Sequence, residues 1–345
     1  MSSVNLPLID LAGPEQDVAR RLVDAAEQHG FIYIKNLGRD IPTRSIDEAF
    51  SITKSLFQTP LDEKQRFAIT KENRGWTGIH VETLDPAHQK KGDFKEAWNF
   101  AEFVNGKAQQ PLPSTIAADE PRLNDFCNFC RELCSKILYL LGVGLRIGDF
   151  FSTAHFATQG DSGTVLRLLH YPPMPDTNSN DEIRAGAHSD YGSITLLFRL
   201  HGQAGLEILK RDNIWAPVPV SPPGTQDDPS PPILVNIGDL LSYWTNGLFR
   251  STLHRVTFPS SGSNGVQGES VSQDRYSIAF FCHPTHSTRL EPVPSRRVEE
   301  CKASDWDDVN PYSKRKVMTA EEHLAMRLRA TYLAINFDED ETAKA

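Results

Sequence analysis

The sequence lacks the features that place a protein in a membrane, in the secretory pathway or on a nucleic acid. Its 345 residues contain no run of about 18 apolar residues that could span a bilayer, and no apolar stretch typical of a signal peptide. The formal net charge is −9 and the charged residues are dispersed, so neither nucleic acid nor an acidic membrane is an expected partner. The cysteine count of five is odd. Together these absences favour the cytoplasm, and no obligate protein partner is evident.

Three of the cysteines lie close together and invite a redox or zinc interpretation. Cys127, Cys130 and Cys134 are spaced by three and four residues, which places them on one face of a predicted helix. A zinc site would need a fourth ligand at matching spacing, and the sequence offers none. Free cysteine otherwise behaves as a small buried apolar residue. We therefore predict that these side chains pack in the core.

The pattern of the sequence changes along the chain, which is long enough for one large domain or two moderate ones. Local helix and strand signals alternate first, a long helical stretch follows, and short strand-like runs then predominate. We predict an α/β region (1–115), bracing helices (116–160), a strand-rich core (161–290) and an extension with a helix (291–345).

Proline and glycine define the predicted helices of the first half. Proline is common at the start of a helix and glycine at its end, and apolar residues every three or four positions mark a buried face. The expected elements are a helix from Pro14 to Gly30, a strand at Phe31–Ile34, helices at Ser45–Phe57 and Asp119–Leu145, and one that begins at Pro60.

Short β-branched runs from Thr164 to Pro284 alternate with segments rich in Pro, Gly, Ser and Asn. This alternation predicts an all-β core, a barrel or double-sheet jelly roll, joined to the α/β N-terminal part and flanked by helices. Surface loops are expected at 172–181, 221–232 and 260–274. Asp239 is predicted to form a turn, and Asn246 with the following glycine a hairpin turn.

The C-terminal segment contains one strong helix signal. Thr319 and Glu322 have the spacing of a capping box, and the run from Leu324 to Ile335 is amphipathic. Its apolar residues need a surface to cover, either the open mouth of the jelly roll or a neighbouring subunit. Packing on the outer face of the core is the alternative.

The most informative pattern in the chain is a set of residues that can bind a metal. His188 and Asp190 are two apart, so on a strand both side chains point to one side. His254 lies in a second strand-like run. Two imidazoles and one carboxylate on one side of a metal leave the opposite positions open, which suits Fe(II) oxygen chemistry. For a single histidine such as His254, the alternative is an ordinary hydrogen-bonded core or surface residue.

A wider set of motifs resembles the iron(II)/2-oxoglutarate-dependent dioxygenases, in the branch that contains isopenicillin N synthase and many fungal biosynthetic enzymes. The resemblance extends over roughly residues 6–284 in the family's order. Its motifs are Leu6–Asp10, His29–Ile34, Leu166–Pro173, Ala187–Leu197, Gly205–Ile208, Asn236–Leu241, Trp244–Gly247, Ser251–Val256 and Arg275–Ser277. The resemblance implies a double-stranded β-helix (jelly roll) and an oxygenase activity.

The resemblance also implies cofactors and roles for individual residues. His188, Asp190 and His254 would hold Fe(2+), with 2-oxoglutarate and O2 as cosubstrates and ascorbate as a candidate reductant. Arg275 would bind the far carboxylate of 2-oxoglutarate through its planar fork, and Ser277, on the same face, would add a hydroxyl donor. The alternative for Arg275 is a surface ion pair.

One position departs from the family. The family often has Asn-x-Tyr where this chain has Leu169, His170 and Tyr171. The resemblance implies that Tyr171 still helps to hold 2-oxoglutarate, whereas a polar contact from Leu169 is absent. The cosubstrate site is therefore expected to be packed differently.

Substrate contacts are harder to read from the sequence. Two N-terminal segments resemble parts of the family that approach the pocket, which makes Arg74, Trp98 and Phe100 candidate pocket residues, although core packing explains an aromatic side chain equally well. Phe280 and Phe281 are adjacent on a strand, so at most one of them faces inward. The expected substrate is a small organic molecule, of the kind that secondary metabolism supplies, and the expected outcome is hydroxylation, desaturation or ring rearrangement.

Three alternatives stay open. An oxidase of the isopenicillin N synthase type would place a substrate carboxylate at the Arg-x-Ser pair and would form no succinate. An ethylene-forming relative would consume 2-oxoglutarate itself, and gas analysis would reveal the product. A metal-free jelly-roll binding protein would not need the three metal-binding residues.

Overall fold

Two β-sheets that face each other form the centre of the molecule. The computed structural model describes residues 3–173, 183–257, 273–301 and 316–331. Buried apolar side chains form one layer between the sheets and a second layer between the larger sheet and the helices. This is the predicted jelly roll with flanking helices.

The larger sheet joins N-terminal strands to strands of the core. Numbered in chain order, its strands lie side by side as β1 (Leu8–Ile9), β2 (Phe31–Ile34), β10 (Ile233–Ile237), β7 (Ile194–Arg199), β12 (Arg275–Cys282), β5 (Val165–Tyr171), β4 (Glu96–Ala101) and β3 (Gly75–Thr77). All the pairings are antiparallel except that of β1 with β2. The N-terminal part of the chain therefore supplies both edges of this sheet.

The smaller sheet positions two of the predicted metal-binding residues. Its four strands lie in the order β6 (Ala185–His188), β11 (His254–Val256), β8 (Leu206–Leu209) and β9 (Trp215–Pro217), all antiparallel. His188 and His254 are direct partners in the pairing of β6 with β11. Because directly opposed side chains share a face of the sheet, both imidazoles point in the same direction.

Eight helices of the described chain cover the sheets or connect them. They are α1 (Glu15–Gln28), α2 (Thr43–Phe57), α3 (Leu61–Gln65), α4 (Glu120–Gly144), α5 (Phe150–Phe156), α6 (Asp239–Trp244), α7 (Arg296–Glu299) and α8 (Ala320–Thr331). Proline precedes α1 and α3, as predicted, and Pro42 precedes α2, which begins two residues before the predicted Ser45. After α1, Gly30 adopts a φ of +66°, and a Cβ there would lie 2.1 Å from the Arg250 carbonyl oxygen. Gly30 therefore allows the chain to turn from α1 directly into β2.

The three cysteines of the predicted helix pack in the core. Cys127, Cys130 and Cys134 are buried on α4 and form no disulfide. Burial raises the pKa of all three thiols, which disfavours the reactive thiolate. The structural role predicted for them is confirmed.

Two predictions about local structure need correction. Asn246 and Gly247 do not form a hairpin turn; they follow α6 with φ values of 57° and 77°, and the Gly247 N–H donates to the carbonyl of Ser242. A pair of left-handed residues of this kind ends a helix as readily as it joins two strands. The second correction concerns β6, which ends at His188, so Asp190 lies in the connection to β7 and not on the same strand.

The C-terminal capping box is confirmed. The Thr319 N–H donates to the Glu322 carboxylate at 2.8 Å, and the Glu322 N–H donates to the Thr319 hydroxyl at 3.2 Å. These bonds fix the start of α8; residues 332–335 of the predicted helix lie outside the described residues, as do most of the loops predicted at 172–181 and 260–274. Within the described ranges, no helix combines the length and apolar character needed to cross a bilayer.

Candidate active site

The three predicted metal-binding residues converge between the two sheets. One ligand atom from each of His188, Asp190 and His254 lies within 4.8 Å of the others. Asp190 Oδ1 is 3.6 Å from His254 Nε2 and 3.9 Å from His188 Nε2. The turn after β6 brings Asp190 to the imidazoles although it is not part of the strand.

Hydrogen bonds to backbone carbonyls orient both imidazoles. His188 Nδ1 lies 2.8 Å from the Gly186 carbonyl oxygen, and His254 Nδ1 lies 3.1 Å from that of Thr252. A carbonyl oxygen can only accept, so each Nδ1 carries the proton and donates it. In the neutral form of each imidazole, Nε2 then carries no proton and lies on the side of Asp190, which is the tautomer a metal ligand needs.

The Asp190 carboxylate is held in the same manner. Its Oδ2 accepts hydrogen bonds from the Thr195 hydroxyl and from the Asn236 amide, both at 2.6 Å. Since Oδ2 is engaged in this way, Oδ1 is the oxygen that faces the two imidazoles. The position of this carboxylate is thus fixed by strands β7 and β10 of the larger sheet.

Burial and mutual attraction set the protonation states of the three groups. Burial, with a smaller contribution from His254, lowers the pKa of His188 to about 3, so that its imidazole is neutral. Burial alone would raise the pKa of Asp190, but its interactions with His254 and His188 and its hydrogen bonds hold the pKa below the usual value. The pKa of His254 is raised, because attraction to Asp190 outweighs burial.

This donor set fits an iron(II) ion. Two imidazole nitrogens and one carboxylate oxygen point to a common position, and the outer hydrogen bonds that orient metal ligands are already present. The open side of the set faces a cavity lined by residues of both sheets. The cavity encloses about 1050 Å³ of space not filled by atoms, part of it continuous with solvent.

The predicted cosubstrate residues line the same cavity from β5 and β12. Arg275, Ser277 and Tyr171 are buried, and Arg275 pairs with Tyr171 across the two strands. The Arg275 guanidinium lies 4.7 Å from the centre of the Tyr171 ring, and its Nε donates to the Ala204 carbonyl at 2.8 Å. Arg275 is thus no surface ion pair but a rigidly held cation inside the cavity. Leu169 lies opposite Ser277 and adds an apolar surface to the same wall.

None of the three residues predicted as substrate contacts lines the cavity. Trp98 and Phe100 are fully buried on the face of β4 that packs toward the helices, so they do not line the cavity. Arg74 is not among the cavity residues either, whereas its neighbour Asn73 is. Successive strand residues point to opposite faces, so Lys95 and Asn99 reach the cavity from β4 and the segment before it. Of the adjacent pair Phe280 and Phe281, the second lines the cavity.

A buried cluster of charged residues in the cavity wall was missed by sequence reasoning. Lys95 forms ion pairs with Asp93 and, at 2.8 Å, with Glu82. Arg167 binds both carboxylate oxygens of Glu82, at 2.7 and 3.1 Å. The Asp93 carboxylate also accepts from the Gly186 N–H, two residues before His188. The alternation along β4 could have indicated Lys95, but nothing local in the sequence indicates its partners.

The C-terminal helix α8 closes part of the cavity. Leu324 and Leu328 line it. Between them, Arg327 forms an ion pair with Asp239 at 2.9 Å. The Asp239 carboxylate also accepts from the hydroxyls of Ser189, at 2.9 Å, and Ser251, at 2.6 Å. Asp239, predicted to form a turn, is instead the first residue of α6, and its carboxylate connects α8 with the two segments that carry the metal-binding residues.

A jelly roll with two histidines and a carboxylate at one end of its cavity and a buried arginine on an adjacent wall defines a non-haem iron oxygenase of the 2-oxoglutarate type. Comparison with known proteins places the chain in that class. Residues 6–118 match the family described as non-haem dioxygenase in morphine synthesis N-terminal, and residues 162–284 match the 2OG-Fe(II) oxygenase superfamily. The chain belongs to the Fe(II)/2-oxoglutarate-dependent oxygenase superfamily, an enzyme family that uses Fe(2+) and 2-oxoglutarate.

Relatives and solved structures match nearly the whole chain. UPF0676 protein C1494.01 of Schizosaccharomyces pombe is 36% identical over 89% of this chain and 92% of its own length. The 2-oxoglutarate-dependent dioxygenase htyE of Aspergillus rugulosus is 31% identical over 79% of this chain and 83% of its own. The crystal structure of a full-length Neurospora crassa protein in complex with alpha-KG and thymine superposes with a TM-score of 0.75 at 26% identity, and the match covers 96% of this chain and 99% of that one.

Proposed function

We propose that His188, Asp190 and His254 hold Fe(2+) and that Arg275, Ser277 and Tyr171 bind 2-oxoglutarate beside it. The observation that carries this proposal is the shared cavity: the open side of the metal-binding set and the buried Arg275 guanidinium both face it. In this family, the iron with 2-oxoglutarate and O2 supplies a strong oxidant and releases succinate. The chain's residues orient the iron, neutralise the cosubstrate carboxylate and enclose the substrate.

The walls of the cavity fit these roles. Arg275 offers a planar fork that matches a carboxylate, and its ring contact with Tyr171 and its bonds to backbone carbonyls hold it in place. Leu169, Ala279 and Phe281 keep the surroundings apolar and limit water. Exclusion of water strengthens the interaction of Arg275 with a carboxylate.

The first test is an anaerobic titration of the protein with Fe(II) and then 2-oxoglutarate. A weak visible charge-transfer band should appear only when both are present, because it requires the keto acid to bind the metal directly. Turnover with a substrate library should then release succinate. Metal binding without the band, and product formation without succinate, would instead support an oxidase of the isopenicillin N synthase type.

We propose a small organic molecule as the substrate, with hydroxylation, desaturation or ring rearrangement as the outcome, and a place in secondary metabolism. The relatives that support this are small-molecule oxygenases by name, including the proline hydroxylase buaE of Petromyces alliaceus, 31% identical over 94% of this chain. We also propose the cytoplasm as the compartment and keep the division at 1–115, 116–160, 161–290 and 291–345 as the segment boundaries.

We further propose that α8 acts as a lid over the substrate. Leu324 and Leu328 face the cavity, and Leu324 packs so closely on Gly163 that a Cβ at that glycine would lie 2.4 Å from a Leu324 methyl. Arg327 fastens the helix through its ion pair with Asp239 and lies over the Tyr191 ring, 4.6 Å from its centre. These contacts support a lid in preference to the alternative, in which α8 packs on the outer face of the core.

If α8 is a lid, the double variant Leu324→Ala/Leu328→Ala should bind its substrate more weakly and couple 2-oxoglutarate consumption to product less tightly. The substrate KM should rise by roughly tenfold, because loss of the apolar contact of two leucines readily reaches the energy of a tenfold change. More 2-oxoglutarate should be consumed per product molecule, because the cavity is less well closed. Steady-state kinetics with separate succinate and product assays measures both effects.

The control for the lid is Arg329→Ala, on an exposed position of the same helix. It should behave as the parent. A double variant with unchanged KM and unchanged ratio of succinate to product would show that α8 has no part in substrate binding.

A further inference from the structure

A second arginine is buried near Arg275 and has no role in the site described so far. Arg199, the last residue of β7, is 4% exposed. Its Nη1 and Nη2 donate to the carbonyls of Val218 and Pro219, both at 3.0 Å, and its guanidinium lies 5.8 Å from the centre of the Tyr33 ring. Within the ranges that the structure describes, no carboxylate contacts this guanidinium.

The two carbonyls satisfy hydrogen bonds of Arg199 but do not cancel its charge. Burial lowers the pKa of Arg199, and the positive charge of Arg275 lowers it further, yet an arginine remains protonated in a protein. A buried charge that no anion offsets destabilises the folded chain. A bound anion close to Arg199 would offset that cost.

The pairing of β7 with β12 places Arg199 beside the proposed cosubstrate residues. Arg199 is the direct partner of Ser277, and directly opposed side chains share a face of the sheet, with Cβ atoms about 5 Å apart. Thr195 and Leu197, at alternate positions of the same strand, line the cavity. Arg199 itself lies behind the cavity wall, next to Ser277 and two residues along β12 from the position opposite Arg275.

A charge at this position acts on a bound anion without touching it. Few water molecules and ions can enter a buried region, so a charge several ångströms away is screened much less than in solution. The other buried charges of the wall carry two charges of each sign and leave the charge of Arg199 uncancelled; they are Glu82, Asp93, Lys95 and Arg167. The wall around Ser277 therefore has an excess of positive charge.

From this arrangement we infer that Arg199 is a second cation of the 2-oxoglutarate site, which attracts the far carboxylate through the cavity wall. The inference rests on the proposed function, because it requires 2-oxoglutarate to bind at Arg275 and Ser277. Arg199 is a positioning residue: it contacts neither cosubstrate nor metal, and it increases the preference for a keto acid with a second carboxylate. The competing explanation is a structural anchor for Val218 and Pro219 with no effect on binding.

The test compares two keto acids in anaerobic titrations of the full-length, Fe(II)-loaded protein, followed by the charge-transfer band. 2-Oxopentanoate has the five-carbon chain and the keto acid of 2-oxoglutarate but lacks the far carboxylate. Arg199→Gln should weaken 2-oxoglutarate binding roughly tenfold and leave 2-oxopentanoate binding as in the parent, because the lost charge acts on the far carboxylate. The glutamine amide can still donate to one of the two carbonyls.

Two further variants separate charge from structure. Arg199→Lys keeps the charge but loses the fork, so it should restore most of the affinity for 2-oxoglutarate even if the protein unfolds at a lower temperature. Tyr33→Phe removes a neighbouring hydrogen bond, from the tyrosine hydroxyl to the Pro219 carbonyl at 2.6 Å, without changing any charge, and should bind both keto acids as the parent does. Unchanged 2-oxoglutarate affinity in Arg199→Gln, an equal loss for both keto acids, or a loss in Arg199→Lys as large as in Arg199→Gln would each overturn the inference.

A double variant tests the inference with Arg199 in place, so it decides even if the Arg199 variants fail to fold. Arg275→Ala/Ser277→Ala lacks both direct contacts, yet it should still bind 2-oxoglutarate several-fold more tightly than 2-oxopentanoate. Equal binding would show that Arg199 attracts no carboxylate. If the parent forms no band with 2-oxoglutarate, the proposed function fails; if the band forms and the variants behave as the parent, the inference about Arg199 alone fails.

Discussion

His254→Ala is expected to abolish turnover while leaving the fold intact. His254 supplies one of three ligand atoms, and its partner in β-sheet pairing, His188, cannot replace it because its own Nε2 already points to the same metal position. Removal of a hydrogen-bond partner outside the ligand set typically costs 10–100-fold in metal affinity or activity, so the loss of a ligand should exceed roughly a hundredfold. Steady-state succinate release at limiting Fe(II) measures the effect, and far-UV circular dichroism reports the fold.

Two further variants sharpen this prediction. Asp190→Glu should also be strongly impaired, since Thr195 and Asn236 fix the carboxylate and an added methylene moves it beyond the ~0.2 Å tolerance of a metal bond. His201→Ala, an exposed histidine outside the cavity, is the matched control and should retain activity. Full activity of purified His254→Ala at limiting iron would remove His254 from the ligand set.

Arg275→Ala is expected to raise the concentration of 2-oxoglutarate needed for half-maximal activity by roughly 30-fold to several thousandfold. A charge-assisted, bidentate contact in a buried pocket is worth on the order of 2–5 kcal/mol, which corresponds to a change in affinity of roughly 30-fold to several thousandfold. The KM for the substrate should change far less, because the proposed substrate contacts of Leu324 and Leu328 come from α8 and not from β12, which carries Arg275. Arg275→Lys should recover only part of the loss, since a point charge cannot reproduce the fork.

The controls for Arg275→Ala must separate loss of 2-oxoglutarate binding from loss of the hydrogen bonds that Arg275 makes to the backbone. Arg275 Nε donates to the carbonyls of Gln203 and Ala204, so its removal also loosens the loop before β8, and thermal unfolding of the variant should be measured in parallel. Arg255→Ala removes an arginine of β11 that is paired with Glu207 outside the cavity, and should leave 2-oxoglutarate dependence unchanged. An Arg275 variant with the parent's 2-oxoglutarate dependence and a weakened substrate affinity would support the oxidase alternative.

The metal-binding set could be predicted from the sequence because its information is local. His188 and Asp190 are two residues apart, and His254 and Arg275 lie in recognisable strand-like runs. The prediction that these side chains meet holds although the strand does not extend through Asp190, because the turn after β6 brings Asp190 to the two imidazoles. Local spacing thus indicated which residues meet, although it misjudged the backbone that brings them together.

The substrate end of the cavity could not be predicted because its contacts join distant parts of the chain. Glu82 and Arg167 are 85 residues apart, and their contact depends on how the connection between β3 and β4, which carries Glu82, lies against β5. The aromatic residues of β4 were predicted to contact the substrate. The side chains of a strand alternate between two faces, however, and the sequence does not say which face borders the cavity. Trp98 and Phe100 belong to the helix side, and Lys95 and Asn99 to the cavity side.

The position of β12 has a consequence for how the protein is made. This strand is the last in the described chain, yet it lies in the middle of the larger sheet between β7 and β5. Other pairs of the sheet, such as Leu234 with Tyr33, also join residues far apart in sequence. The sheet cannot close until synthesis has passed Cys282, and folds dominated by distant contacts form slowly. Newly made chains therefore carry open strand edges on β5 and β7 until β12 arrives. Cells are expected to protect this intermediate with chaperones, because aggregation competes with folding at that stage.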